Sequence, residues 1–221
     1  YRALTDGSPP ASSNHVSRAH PEFVRRHGKL LWLDPSEKSA QDHILGVILE
    51  VVNRYDIDGV HVDDYFYPPT QTDTNGLIIN FDDHANWKKY LEADGKLDRN
   101  NWRRVQVNKM IERIHKQIHA RKPWLKFGIS PMGIWKKDVP PGIVGLGSYN
   151  GVNADSQRWL TAGWCDYFAP QLYWKIEPKE QSFSALLGWW LTQNPKKRHV
   201  WPGLATSNLG KWPVNEIVAQ V

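Results

Sequence analysis

Apolar residues recur along this chain at two periods, and the switching between them predicts its elements. Ile44, Ile48, Val51 and Tyr55 stand three or four apart, which predicts an amphipathic helix over 36–55 with those residues on its buried stripe. Asp34 is placed to cap that helix, with Pro35 at the first helical position. Val107, Ile111, Ile114 and Ile118 predict a second long helix over 101–120, stopped by Pro123. Shorter helices are expected over 20–28 (opened by HPEF), 84–91, 156–162, 182–193 and 212–221. Runs with strand character occupy 57–63, 126–131, 166–174 and 199–205. Alternation within 166–174 puts Tyr167, Ala169, Gln171 and Tyr173 on one face and Phe168 and Leu172 on the other. Residues 1–29 (marked by Gly7, Pro9, Pro10, Ser12 and Ser13), 68–100 and 138–153 read mainly as loops.

Helix then strand, four times over, with short joins before each strand and long loops after it, is the rhythm of parallel α/β architecture. A (β/α)8 TIM barrel carries its functional residues on such loops, at the C-terminal strand ends, and takes eight strands in about 250 residues. Four strands are expected here. Either the other strands lie outside this segment or the sheet is a smaller, open one; the ending on a helix favours the first, so the 221 residues read as one domain, 1–221, holding part of a TIM barrel.

Composition adds a few exclusions. With 40% hydrophobic and 23% charged residues the chain is ordinary globular material. No apolar run of about 18 residues encodes a membrane span. YRALTDGSPP is not a signal peptide, although the segment could be a mature piece of an exported protein. The net charge of +5 is dispersed over short clusters such as Lys196-Lys197-Arg198, which argues for solvated faces and against a nucleic-acid partner. A single cysteine, Cys165, excludes an internal disulfide. Twelve tryptophans and eight tyrosines are many for one domain and suit stacking on sugar rings as well as core packing.

Candidate chemistry concentrates in YDIDGVHVDDYFYP, residues 55–68. Read as a buried strand, it puts Val60 and Val62 on one face and His61 and Asp63 on the other. Lone buried charges are costly, so the His and Asp need a reason. One is structural, an ion pair or a satisfied core histidine. The other is catalytic: glycoside hydrolysis uses two carboxylates, about 5–5.5 Å apart for retention and about 6.5–9.5 Å for inversion. Asp63 and Asp64 are the first candidates, but neighbours on a regular strand point to opposite faces. Both can serve one ring only if the strand ends between them. Otherwise the partner comes from another strand end, Asp155 or the more solvated Glu177. His61 could hydrogen-bond Asp63 and tune it. Ser130, Gln171 and Tyr173 lie near strand ends as candidate sugar-hydroxyl ligands. Tyr65, Tyr67, Trp135, Tyr149 and Trp174 are candidate stacking platforms. No metal is expected, because no further histidine cluster with metal-site spacing accompanies His61-x-Asp63; no cofactor is expected either.

YDIDGVHVDDYFYP, FGISPMGIW (127–135) and GWCDYFAPQLYW (163–174) resemble the glycosyl-hydrolase-like family ten, bacterial (β/α)8 enzymes that include a hydrolase of peptidoglycan strands stripped of stem peptides. HPEF followed by LWLDP, and Ala154-Asp155-Ser156 before Trp159, look like that family too, and on this ground Asp155 ranks ahead of Glu177. The resemblance implies three barrel strands before Tyr1 and one after Val221. It implies an endo-acting glycosidase of an N-acetylated glycan, in a secreted or envelope protein, periplasmic or extracellular. A non-catalytic glycan-binding barrel is the alternative. DGVHVDDYFYP is also similar to the catalytic strand of family-eighteen chitinases. There Asp63 matches the residue that orients a substrate acetamido group, while Tyr65 stands where the acid would be. Substrate-assisted cleavage would then need an acid from elsewhere.

Overall fold

The computed structural model describes residues 2–5, 11–208 and 210–221; Gly7, Pro9 and Pro10 of the expected first loop lie outside them. In chain order the strands are β1 (Arg2–Thr5), β2 (Val24–His27), β3 (Leu30–Leu33), β4 (Gly59–Val62), β5 (Gln71–Thr72), β6 (Ile78–Ile79), β7 (Lys126–Ile129), β8 (Tyr167–Phe168) and β9 (His199–Val200). The helices are α1 (Val16–Ala19), α2 (Lys38–Arg54), α3 (His84–Glu92), α4 (Arg99–Arg121), α5 (Ser148–Gly151), α6 (Ser156–Ala162), α7 (Phe183–Thr192) and α8 (Val214–Gln220).

All four expected strands form one parallel sheet in the order β4-β7-β8-β9. Strand order therefore equals chain order, with helices in every crossover. A doubly wound sheet reverses order at a switch point; a (β/α) barrel does not. The fold is thus a run of consecutive (β/α) units of barrel type. Residues in register across the sheet are His61, Gly128, Tyr167 and His199, and beside them Val62, Ile129, Phe168 and Val200. Phe127, Ile129 and Phe168 are fully buried against the helices. His61 and Asp63 are exposed on the opposite face, so the strand at 57–63 is covered on one side only among the described residues.

Each of β7, β8 and β9 is cut short by a proline two residues past its end: Pro131, Pro170 and Pro202. Proline donates nothing to a ladder. Pairing resumes beyond, where Gln171 bridges to Met132 on one side and Gly203 on the other.

Helix α2 forms as expected, but its fully buried positions are Ala40, Gln41, Leu45, Leu49 and Val52, one step around from the expected stripe. Val51 and Tyr55 are exposed. Asp34 is not the cap. Glu37 holds that position, while Asp34 is fully buried and accepts from the amide (2.9 Å) and hydroxyl (2.6 Å) of Ser36. Helix α4 buries all four expected residues. The helix expected over 20–28 shrinks to one 3-10 turn, Pro21–Phe23, because β2 then pairs with β3. β1 lies on the other side of β3, inside what reads as an irregular start.

Three of the tryptophans are core residues whose indole N–H is matched: Trp32 to the Phe66 carbonyl (2.6 Å), Trp159 to Asn108 Oδ1 (2.6 Å) and Trp190 to the Gly133 carbonyl (2.8 Å). Burying the ring while satisfying the donor is what makes tryptophan useful inside a domain.

The long segment after β4 folds back through the β5–β6 hairpin and α3, and a buried ion cluster fastens it to α4. Asp83 is fully buried; Arg103 grips it with two bonds (2.6 and 2.8 Å), and Arg99 is a second partner. Removing the carboxylate would strand the buried Arg103 without a counter-charge. Asp83→Ala is expected to destabilise the fold by about 3–5 kcal/mol. Urea denaturation measures this, and a loss below about 1 kcal/mol would mean that water replaces the carboxylate.

Candidate active site

β4 ends at Val62, and this decides the geometry of the doubled aspartate. Beyond a regular strand the two-residue alternation lapses. Both Asp63 and Asp64 line one cavity of about 470 Å³, with Leu30, Trp32, Tyr65, Tyr67, Pro69, Met132, Val152, Gln171 and Tyr173. That volume is in the range of small-molecule sites, about 300–1,000 Å³. The cavity lies at the C-terminal ends of the strands, where (β/α) barrels act. A second, more apolar cavity of about 290 Å³ runs behind it between α2 and α4, with Asp63 and Tyr65 at its edge.

The two carboxylates are held differently. Asp63 Oδ1 accepts from Gln171 Nε2 (2.8 Å) and from the Asp64 amide (2.9 Å). The same Gln171 nitrogen donates its other proton to the Ser130 carbonyl at 3.0 Å. Asp64 is raised to about 6, first by burial and then by the negative charge of Asp63. A carboxyl held partly neutral beside a hydrogen-bonded carboxylate is the division of roles that acid catalysis needs. Tyr173 is half exposed at the rim; burial and then the two aspartates push its phenol above the usual tyrosine range.

Other sequence expectations are revised. His61 does not bond Asp63. Its Nδ1 meets the Tyr167 hydroxyl at 3.0 Å, the two rings stack at 5.6 Å, and burial pushes the imidazole below its ordinary range. That contact exists because Gly128, between them in register, has no side chain: a Cβ there would fall 1.9 Å from the Tyr167 ring. The Ser130 hydroxyl is spent on the Ala169 carbonyl (3.0 Å), a tie between neighbouring strands. Tyr67 lines the cavity but is almost fully buried, edge-on to Phe81 and under Arg103, so it cannot serve as a stacking platform.

Asp155 is not among the cavity residues. Its Oδ1 accepts from the Trp135 indole at 3.2 Å, so it anchors that ring. Trp135 in turn packs on Trp189 and edge-on to Tyr149, and Arg104 caps Tyr149 at 3.9 Å. Trp135 and Tyr149 thus belong to a packed cluster built by the loop after β7, not to the cavity wall. Trp174 is half-buried against the core, and Glu177 is exposed. Of the expected stacking aromatics Tyr65 lines the cavity with an exposed ring, tilted against Trp32, and Tyr173, expected as a hydroxyl ligand, lines it too.

Sequence reasoning missed Trp32, Leu30, Met132 and Val152 as cavity walls. Trp32 and Leu30 arrive on β3, which belongs to a separate antiparallel sheet, and no periodicity reports where that sheet docks. The expectation of no second histidine cluster also fails. His115 and His119 stand four apart on α4 and meet Asp166, with one ligand atom from each residue within 4.8 Å of the others.

The family model for Glycosyl hydrolase-like 10 matches residues 10–218. Glycosyl hydrolase YngK of Bacillus subtilis is 39% identical over 185 residues, covering 81% of this chain and 35% of that protein. Glycosyl hydrolase DigH of Escherichia coli is 32% identical over 197 residues, 87% of this chain and 43% of that one. The chain thus spans less than half the length of these relatives. Among solved structures, a GH36 alpha-galactosidase, AgaA from Geobacillus stearothermophilus, aligns with 95% of this chain and 28% of its own at 14% identity. Its TM-score is 0.38, too remote a likeness to build on.

Asp64 binds its proton more tightly folded than unfolded, where the ordinary value is 3.8. Its neutral form therefore favours the fold below about pH 4, and that contribution is lost as pH rises through about 6. Asp64→Asn, neutral at every pH, is expected to gain stability relative to the native protein across that window and hold the gain above it. Urea midpoints between pH 4 and 8 measure this; a constant difference would show that Asp64 is not raised.

Proposed function

The chain belongs to the glycosyl hydrolase-like 10 family, and from that premise we propose that it carries the site of a glycoside hydrolase. The proposed substrate is an N-acetylated bacterial glycan, foremost peptidoglycan strands lacking stem peptides, cut within the chain. The observation that carries this reading is the pair Asp63 and Asp64 opening together on one cavity, with Asp64 raised to about 6.

In this mechanism Asp64 is the general acid that protonates the leaving glycosidic oxygen. Its proton remains available near neutral pH because burial and Asp63 oppose ionisation. Asp63, fixed by the Gln171 amide, faces the reacting sugar. There it stabilises the oxocarbenium-like charge or orients the 2-acetamido group for substrate-assisted attack. Tyr65 then need not supply the acid that its chitinase-like position lacks, because the neighbouring Asp64 does. Tyr65 and Tyr173 flank the cavity as half-exposed rings suited to sugar faces. An exported location, in the periplasm, envelope or outside the cell, is part of the same proposal, since peptidoglycan lies beyond the cytoplasmic membrane. No helix among the described residues is long and apolar enough to cross a membrane.

The test is incubation of the intact protein with glycan strands stripped of peptides by an amidase. Small oligosaccharides are expected. Asp63→Asn and Asp64→Asn are each expected to lower turnover about 10²- to 10⁴-fold with circular dichroism unchanged. For the native protein kcat/KM should decline as pH rises above about 6, when Asp64 loses its proton. Undiminished turnover in both variants would remove the pair from the reaction, and glycan binding without any product would favour a carbohydrate-binding role.

A further inference from the structure

At the opposite end of the sheet from the cavity, the last turns of α4 meet the residue that leads into β8. His119 Nδ1 lies 2.8 Å from the carbonyl oxygen of His115. A carbonyl only accepts, so this nitrogen carries the hydrogen. The other ring nitrogen, Nε2, lies 3.1 Å from Asp166 Oδ2. In neutral imidazole that Nε2 is a bare acceptor, and a carboxylate oxygen is an acceptor as well. Two acceptors at this distance need positive charge between them, a second proton or a cation.

We propose that His115, His119 and Asp166 bind a divalent transition metal of the zinc class. A helical i, i+4 histidine pair presents both rings on one face, and here the ring centroids are 4.3 Å apart. Two ligands each about 2.1 Å from one ion lie roughly 2.9–3.5 Å apart, which brackets the Nε2–Oδ2 separation. The supporting bonds are those of a metal site. The His115 carbonyl orients His119, and the Phe127 amide donates to Asp166 Oδ2 at 2.8 Å. The cluster is partly exposed, so an ion can enter and complete its shell with water. Arg198 stands 3.8 Å from the other oxygen, Oδ1, held by the Gly163 carbonyl at 2.9 Å. That positive charge opposes any cation alike, so selectivity rests on the ligand types. With two imidazoles in the set, zinc, nickel or cobalt is selected over magnesium or calcium. The ion would join α4 to the start of β8, away from the catalytic carboxylates, and so acts on stability.

The test uses intact protein freed of metal by a chelator, then titrated with zinc chloride, nickel chloride or magnesium chloride. Zinc and nickel are expected to raise Tm by roughly 5–10 °C at a hundredfold excess over Kd, and magnesium to leave it unchanged. His115→Ala should abolish the rise while melting normally without metal. Crystals grown with zinc should show an anomalous peak among the three side chains; this readout stands even where the variant fails to fold. Absence of that peak, or a Tm rise that survives in His115→Ala, overturns the site and leaves a proton between His119 and Asp166.

Discussion

One side-chain amide orders the tip of the sheet. Gln171 uses both of its N–H bonds, one on Asp63 and one on the Ser130 carbonyl, and so ties β4, β7 and β8 together just past the point where regular pairing stops. Its own backbone is clamped between Met132 and Gly203. Asp63 is thereby aimed by a rigid neighbour, although it sits on chain that has left the strand. Preorganisation of this kind costs a side chain its freedom once, during folding, and not again at each encounter with substrate. The helices complete the arrangement by covering the other face, so that polar side chains gather where the sheet is left open.

Much of this was legible in the chain. Period 3.6 located α2 and α4 to within a few residues, the shorter helices α6 and α7 fall within about a residue of their expected bounds, and the order of the parallel strands followed from four helix–strand repeats. What periodicity does not resolve is which of two adjacent apolar stripes faces inward. On α2 both the Ile44–Ile48 row and the Leu45–Leu49 row are apolar; the second is the buried one, while Ile44 and Ile48 are partly buried and line the apolar cavity between α2 and α4. The strand lengths were overestimated for a local reason, the proline after each of β7, β8 and β9.

The candidate site was legible in its carboxylates and less so in its surroundings. Strand alternation argued against Asp63 and Asp64 acting together, and the early end of β4 removed that objection. Asp155, Trp135 and Tyr149 looked equally suitable by residue type, yet they satisfy one another within a loop. Residue type records what a side chain could bond, and only packing tells whether it has already done so. Likewise His115 and His119, four apart on α4, form a cluster only with Asp166, which the fold brings to them from about fifty residues away.

Gly128 carries a consequence of another kind. Because it lacks a side chain, Tyr167 can lie across it and reach His61, and together with Trp201 these rings pave the sheet below the carboxylates. None of these rings lines the cavity itself, so what Gly128 governs is the packing of the sheet's open face. Any side chain at this position would push Tyr167 off the strand and part it from His61, while Asp63, Asp64 and Gln171 keep their own bonds.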